Sequence, residues 1–399
     1  MKKMIIALVI VLALIAGLVS YYEIQKKDTG KVNTPVVISQ TGEPEDTEEE
    51  DTEQQEAAPL KSLDYDAVYA SCDPEAVVMN VDGTEVTWDE YYYWLEYFAE
   101  SAEYYMQMYS YYGYPVSWDE YAPLIVENTG TQIKSLIAVE KFAEEKGVEL
   151  TDEEQKEIED GIVSAVEEQY GGDNAENRAA YFASMGVSEE MYNRLMKINY
   201  LYQDCFKAVY GEDAARVSDE DAVKWLEDNR YMYASHILFA TLDLGTMEDL
   251  GENEKAEKEE LANKVAKELQ AITDKEELVK RFKELKEEYC EDTGKSVYPD
   301  GYMFLTGTMV EEFENGYKSL EDYQVSDPIL STYGYHVMLR LPLSADAVIE
   351  YSDDGQPLNA RQKFANDAYG KEMDGYTESL KTEEFDGIKN LNLLDYLAD

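Results

Sequence analysis

The feature that most constrains this chain is a pair of strand-like runs that carry both of its histidines. Tyr233-Ala234-Ser235-His236-Ile237-Leu238-Phe239 is rich in β-formers and predicts a strand. Tyr333-Gly334-Tyr335-His336-Val337-Met338-Leu339-Arg340 predicts another, entered through a glycine turn. Between them, Leu261 to Glu288 shows apolar residues at helical spacing among Lys and Glu. The run breaks at Ile272-Thr273-Asp274-Lys275-Glu276, where Thr273 and Glu276 have capping-box spacing, so two helices are expected. Tyr289-Cys290-Glu291-Asp292-Thr293-Gly294 follows, then Gly307-Thr308-Met309-Val310-Glu311-Glu312-Phe313 and a last helix over Val310 to Tyr317. Ser326-Asp327-Pro328-Ile329-Leu330 leads into the final hairpin, because a residue before proline is pushed towards extended geometry.

This order, over roughly Arg230 to Leu341, resembles the parvulin family of peptidyl-prolyl isomerases. The resemblance implies a small antiparallel sheet flanked by helices, with the histidines hydrogen-bonded to each other on its central strands. It implies that His236 and His336 organise and polarise the site and that Asp292 supplies electrostatics beside the substrate carbonyl. Met309 and Phe313 would hold the proline ring, with Phe304 supporting the pocket wall. Amide rotation makes and breaks no bond, and its barrier is about 18–20 kcal/mol, so an apolar pocket that favours the twisted amide suffices and no nucleophile is required.

Two departures from the family pattern stand out. Tyr298-Pro299-Asp300-Gly301-Tyr302 occupies the place of the usual Gly-Gly-Asp-Leu-Gly turn, which puts Gly301 where a leucine wall is customary. Val310 replaces the glutamine common after the pocket methionine. A shallower pocket and weak activity are compatible with both. Glu248, Asp249 and Glu252 in the first loop would repel a phosphate, which disfavours phospho-specific recognition.

The chain around this domain has 399 residues and a formal net charge of -52. Such a charge excludes nucleic acid as a partner, since phosphate binding needs a basic footprint. Solvated helix faces explain most of the acidity, and an anionic wall that favours basic clients is the functional alternative. After Met1-Lys2-Lys3 the sequence is uncharged from Met4 to Tyr22, long enough as a helix to span about 30 Å of hydrocarbon. The leading lysines place its start in the cytoplasm and everything beyond residue 22 outside, as a single-pass anchor of the cell membrane. A cleaved signal peptide, which would make the protein secreted, stays the alternative. Residues 23–62 are acidic and poor in apolar groups and read as a flexible tether.

Residues 63–229 are expected to form a mostly helical domain. It opens with two short strands around Asp82-Gly83, then Thr87-Trp88-Asp89-Glu90 with capping-box spacing. Thr151-Asp152-Glu153-Glu154 repeats that signature, and acidic helix starts follow Ser188 and Ser218. This pattern resembles the N-terminal chaperone module of PrsA- and SurA-type foldases. Tyr91 to Tyr121 is unusually aromatic, and part of it exceeds what one helix face can bury. Its exposed tyrosines, with Met106 and Met108, are expected to cradle unfolded segments.

Residues 230–344 form the isomerase domain on this reading, and 345–399 supply a C-terminal helix that packs back on the chaperone module. The fold class is therefore α+β, a parvulin-like domain attached to a mostly α-helical SurA-N/PrsA-like domain with an N-terminal membrane segment. The implied function is prolyl isomerisation and assisted folding of unfolded or partly folded exported polypeptides with X-Pro bonds. A non-catalytic holdase built on a degenerate parvulin domain is the alternative. Cys72, Cys205 and Cys290 form no zinc or redox spacing, and a Cys72–Cys205 bridge stays open. No cofactor or metal is called for, and the sequence leaves a homodimer open.

Overall fold

The computed structural model describes residues 60–398 apart from Pro115, Asp353 and Asp354. The expected membrane segment 1–22 and nearly all of the acidic tether 23–62 lie outside the described residues. Among the described residues no helix is long and apolar enough to cross a membrane. The chain divides into two units, one running to Ala208 and resuming at Glu372, the other Val209–Lys371.

The first unit begins with a short helix α1 (Tyr65–Tyr69), then strands β1 (Val77–Val81) and β2 (Thr84–Thr87). Asp82 and Gly83 between the strands have φ of 49° and 94°, the positive values that a two-residue hairpin turn demands. Helices α2 (Trp88–Tyr111), α3 (Trp118–Lys146), α4 (Asp152–Tyr170), α5 (Ala175–Ser184) and α6 (Glu189–Tyr210) follow. Thr87 caps α2 by accepting from the Glu90 amide, and Thr151 and Glu154 complete both halves of a capping box on α4. Trp88, Tyr91, Trp94, Leu95 and Met106 on α2 are buried, as are Ile125, Ile133, Ile137 and Phe142 on α3. Met106 is thus a core residue and cannot belong to an exposed cradle; its position falls on the stripe of α2 that faces inward.

The second unit opens with α7 (Asp219–Asp228), capped by Ser218, and β3 (Tyr231–Ala240). Helices α8 (Glu252–Gln270) and α9 (Lys275–Tyr289) come next. The start of α9 differs from the expected box. Asp274, not Thr273, is its cap, accepting from the Glu277 amide at 2.9 Å. An aspartate one position on satisfies the same orphan donor and adds negative charge at the helix N-terminus. Strand β4 (Tyr302–Leu305), helix α10 (Glu311–Lys318) and strands β5 (Ile329–Leu330) and β6 (Gly334–Arg340) complete a four-stranded sheet of order β4-β3-β6-β5, antiparallel throughout. Apolar residues of α8 and α9 (Val265, Leu269, Phe282, Leu285) share a core with Ile237, Phe239 and Val337. Phe313 and Tyr317 of α10 pack with Met232, Ala234, Phe304 and Met338 in a second cluster.

A hairpin of β7 (Val348–Tyr351) and β8 (Pro357–Asn359) leads into α11 (Ala360–Ser379). The chain then returns to the first unit, where β9 (Thr382–Glu384) pairs antiparallel with β1 and is followed by the short α12 (Asp386–Lys389). Cys72, Cys205 and Cys290 are all free thiols, so the Cys72–Cys205 bridge is not made.

Candidate active site

Strands β3 and β6 are the two inner strands of the four-stranded sheet, and their register sets the site. His236 lies opposite Met338 and His336 opposite Leu238, which makes the imidazoles diagonal neighbours on one face. Gly334, at φ 140°, admits the turn into β6, since a Cβ there would sit 2.2 Å from the Phe239 carbonyl oxygen. The two rings stack at 5.1 Å with 20° between planes, and their Nδ1 atoms are 2.9 Å apart. His236 Nε2 is 2.9 Å from Asp292 Oδ2, and His336 Nε2 is 2.7 Å from Ser331 Oγ.

Asp292 is the N-cap of a short 3-10 turn over Thr293–Ser296, accepting from the Gly294 amide at 3.0 Å. The Tyr302 hydroxyl donates to its other oxygen, Oδ2, at 2.5 Å. Burial alone would raise the Asp292 pKa. Hydrogen bonds from His236, Tyr302 and the Gly294 amide overcome it and hold the carboxyl well below the usual carboxylate range. Burial and the bond to Asp292 push the Tyr302 hydroxyl pKa up. Burial, then the neighbouring His236, lowers His336 from 6.5 to about 3, so this ring is neutral at physiological pH.

These constraints set the direction of the hydrogen bonds. Because Asp292 is ionised, it accepts from His236 Nε2, and with one proton on each imidazole the chain closes when His336 Nδ1 donates to His236 Nδ1. His336 Nε2 then accepts from the Ser331 hydroxyl, and Ser331 Oγ accepts the Tyr333 amide at 3.1 Å. Every polar atom of both imidazoles has a partner, with one proton in each shared position.

The apolar part of the site lies over these rings. Phe313 stands edge-on to His236 at 5.2 Å and to His336 at 5.5 Å, and Phe304 packs against it at 5.6 Å. Phe313 and Phe304 are 3% and 4% exposed, whereas Met309 is half-buried at the rim. The loop that carries Met309 is braced by the buried Glu314, whose Oε1 accepts from the amides of Gly307 at 2.5 Å and Met309 at 3.4 Å. All six residues singled out from sequence therefore meet in one place, with Phe313 over the two imidazoles and Phe304 packed against it.

Tyr302, Ser331, Glu314 and Lys286 were not singled out from the sequence. Lys286 is buried and donates to the carbonyls of Tyr298 and Pro299 at 3.0 and 3.1 Å, which fixes the turn that delivers Tyr302. In that turn Gly301 sits at φ 141° with its α-carbon against β3, where a Cβ would lie 2.7 Å from the Ala234 carbonyl oxygen. A leucine has no room at that point, and the tyrosine one residue later packs against the Phe304 and Phe313 cluster and lies 5.5 Å from the His236 ring. Among the described residues no cluster of His, Cys, Asp and Glu is arranged to hold a metal ion.

Replacing Tyr302 with phenylalanine keeps the ring and removes one of three donors to Asp292. Tyr302→Phe is expected to lower stability by about 1.5–3 kcal/mol, the range for a hydrogen bond to a charged group. The midpoint of urea unfolding measures it, and an unchanged midpoint would show that the hydroxyl contributes nothing.

Residues 236–341 match the PPIC-type PPIase (rotamase) domain family. The foldase protein PrsA of Oceanobacillus iheyensis is 30% identical over 224 residues, covering 53% of this chain and 59% of that protein. The foldase protein PrsA 1 of Bacillus cereus is 41% identical over 96 residues, 23% of this chain and 34% of that protein. The chain thus spans well under two thirds of either relative. A crystal structure of the peptidylprolyl isomerase PrsA from Bacillus cereus aligns with a TM-score of 0.28 and 22% identity, over 69% of this chain and 92% of that one. The segment that holds both histidines is thus similar to PPIC-type PPIase domains, in a chain similar to the PrsA foldases.

Proposed function

We propose that this protein is a peptidyl-prolyl cis/trans isomerase and foldase that acts on unfolded or partly folded exported polypeptides outside the cytoplasmic membrane. The observation that carries the reading is the closed chain Tyr302–Asp292–His236–His336–Ser331 beneath an apolar cluster. In this proposal His236 and His336 are the polarisable floor, and Asp292 fixes their tautomers and the local field. Met309 and the edge of Phe313 take the pyrrolidine ring, and Phe304 holds Phe313 in place. The chemistry asked of them is modest. A twisted amide has lost its resonance and part of its carbonyl dipole, so a dry, weakly polar surface favours it over either planar form.

The same proposal takes residues 1–22 as a membrane anchor, 23–62 as a tether, 63–229 with 345–399 as the client-binding part and 230–344 as the isomerase. The uncharged run from Met4 to Tyr22 and the return of β9 to β1 support it.

A second reading, a holdase without isomerase activity, is favoured by the burial of Phe313 and Phe304, which leaves little apolar surface for a proline ring. Exchange measurements on unphosphorylated X-Pro peptides separate the two. Catalytic amounts of the protein are expected to speed cis/trans exchange beyond the uncatalysed tens to hundreds of seconds. A phosphoserine before proline should bring no gain. Equal exchange with and without protein would select the holdase.

A further inference from the structure

Helix α2 changes character along its length. Its first three turns bury Trp88, Tyr91, Tyr92, Trp94 and Leu95, whereas at its far end Tyr104, Tyr111 and Tyr112 are 66%, 84% and 68% exposed. These rings are held in edge-to-face pairs, Tyr104 with Tyr105 at 5.7 Å and Tyr111 with Tyr112 at 5.5 Å. An edge-to-face contact covers only part of a ring, and the exposure of Tyr104, Tyr111 and Tyr112 leaves most of each side chain in contact with solvent. Among the described residues, exposed tyrosines in this number on one helix end form an aromatic surface open to solvent.

The charge around them says what fits it. No Lys, Arg or His occurs between Lys61 and Lys134, although that interval holds Glu96, Glu100, Glu103, Asp119 and Glu120. Glu100 precedes Tyr104 by four residues and Tyr111 by eleven, so the carboxylate and the two rings share one stripe of α2. Its neighbour Glu96 is already partly buried, which raises the pKa of that carboxyl; burial, then nearby carboxylates, pushes the hydroxyls up at Tyr65, beside Glu103 and Glu100, and at Tyr92, beside Glu96. Glu96 and Glu103 accept hydrogen bonds from the Tyr92 hydroxyl and the Leu63 amide, but among the described residues neither is paired with a cation, and carboxylates beside exposed aromatic rings attract cations twice over, by charge and through the ring quadrupole. Such a stripe repels acidic segments, and nothing basic on the same stretch competes for it.

We propose that the exposed tyrosine and glutamate stripe of α2 is a docking surface for positively charged, unstructured polypeptide segments. Lysine and arginine stems would lie on the rings with their charged ends at Glu100 and its neighbours. The inference rests on the foldase reading, of which it specifies the class of client, and it concerns a surface distinct from the histidine site.

The test uses the whole extracytoplasmic chain and three fluorescent, unstructured peptides of equal length, one lysine-rich, one neutral, one glutamate-rich. Anisotropy titrations at low salt are expected to show binding of the lysine-rich peptide at least tenfold tighter than of the neutral one, with no binding of the acidic peptide. The triple variant Tyr104→Ala/Tyr111→Ala/Tyr112→Ala should weaken that binding about tenfold, and Glu100→Lys several-fold, without loss of helical content. Equal affinity for all three peptides, or unchanged binding by both variants, overturns the proposal. Concentration-dependent dimerisation abolished by the triple variant would also overturn it, by assigning the surface to a second copy of the chain. Suppression of aggregation of a neutral client and prolyl exchange are followed in parallel. If these persist while cation selectivity is absent, the docking surface fails and the foldase reading stands; if they are absent from the wild type, that reading itself fails.

Discussion

His236→Ala is expected to lower kcat/KM for prolyl exchange about 10- to 100-fold, equivalent to about 1.4–2.7 kcal/mol of transition-state stabilisation. The imidazole is the middle link of the hydrogen-bonded chain, 2.9 Å from His336 on one side and 2.9 Å from Asp292 on the other. Alanine leaves the His336 Nδ1 donor without an acceptor and the Asp292 carboxylate short of one donor. It also opens a hollow under Phe313, whose edge rests on the ring at 5.2 Å. Water entering that hollow would solvate the planar amide better than the twisted one, which raises the barrier. An unsatisfied buried donor alone costs about 1–3 kcal/mol, so the variant should also unfold at lower urea. Measuring exchange by magnetisation transfer on an unphosphorylated peptide, at a temperature where the variant is fully folded, separates lost catalysis from lost fold. Wild-type exchange rates in a folded His236→Ala protein would reduce the histidine pair to a structural element.

The site was legible in sequence to the extent that chemistry sits on strongly patterned segments. Both strand runs are plain from composition, the Asp292 and Met309–Phe313 segments are placed by the resemblance to the parvulin order, and the register of β3 and β6 then brings the histidines together. What sequence could not supply is the geometry of turns. Tyr302 reaches Asp292 only because the Tyr298–Gly301 turn is pinned by Lys286, and Ser331 meets His336 only because the β5–β6 hairpin is short. One signal was present and went unread. Lys286 falls at helical spacing with Leu278, Phe282 and Leu285 on the inward stripe of α9, and a lysine on an apolar stripe is either unstable or bonded.

The same distinction applies to the fold. Helix starts were legible wherever a hydroxyl or carboxylate caps an amide, as at Thr87, Thr151 and Ser218. The error of one position at Thr273 arises because adjacent Thr and Asp are near-equivalent caps and only the path of the preceding chain selects between them. In α2 the density of aromatic residues was plain. Which of them are buried depends on where α3 lies, so Met106, expected among the exposed residues, is buried, whereas Tyr104, Tyr111 and Tyr112 are exposed.

Stability is expected to depend on His336 in a definite pH window. In the unfolded chain this imidazole takes up a proton near its ordinary value of 6.5; in the folded protein burial, with His236 adjacent, delays protonation to about 3. Between those values the unfolded state binds more protons, so the contribution is complete above about pH 6.5 and is lost progressively as the pH falls towards 3. Asp292 acts in the same direction, because its folded pKa is depressed, but only below the ordinary carboxylate range near pH 4. A comparison restricted to pH 7 and pH 4 therefore isolates the histidine. His336→Gln keeps a polar side chain that cannot titrate, and every carboxylate of this acidic chain is common to both proteins, so general charge effects cancel in the difference. The stability advantage of the wild type over His336→Gln should shrink by about 3 kcal/mol between pH 7 and pH 4, at about 1.36 kcal/mol for each unit crossed below 6.5. Urea unfolding at the two pH values measures it. Parallel pH dependences would mean that His336 titrates in the folded protein as it does in the unfolded chain, and with that the fixed proton directions of the site would be lost.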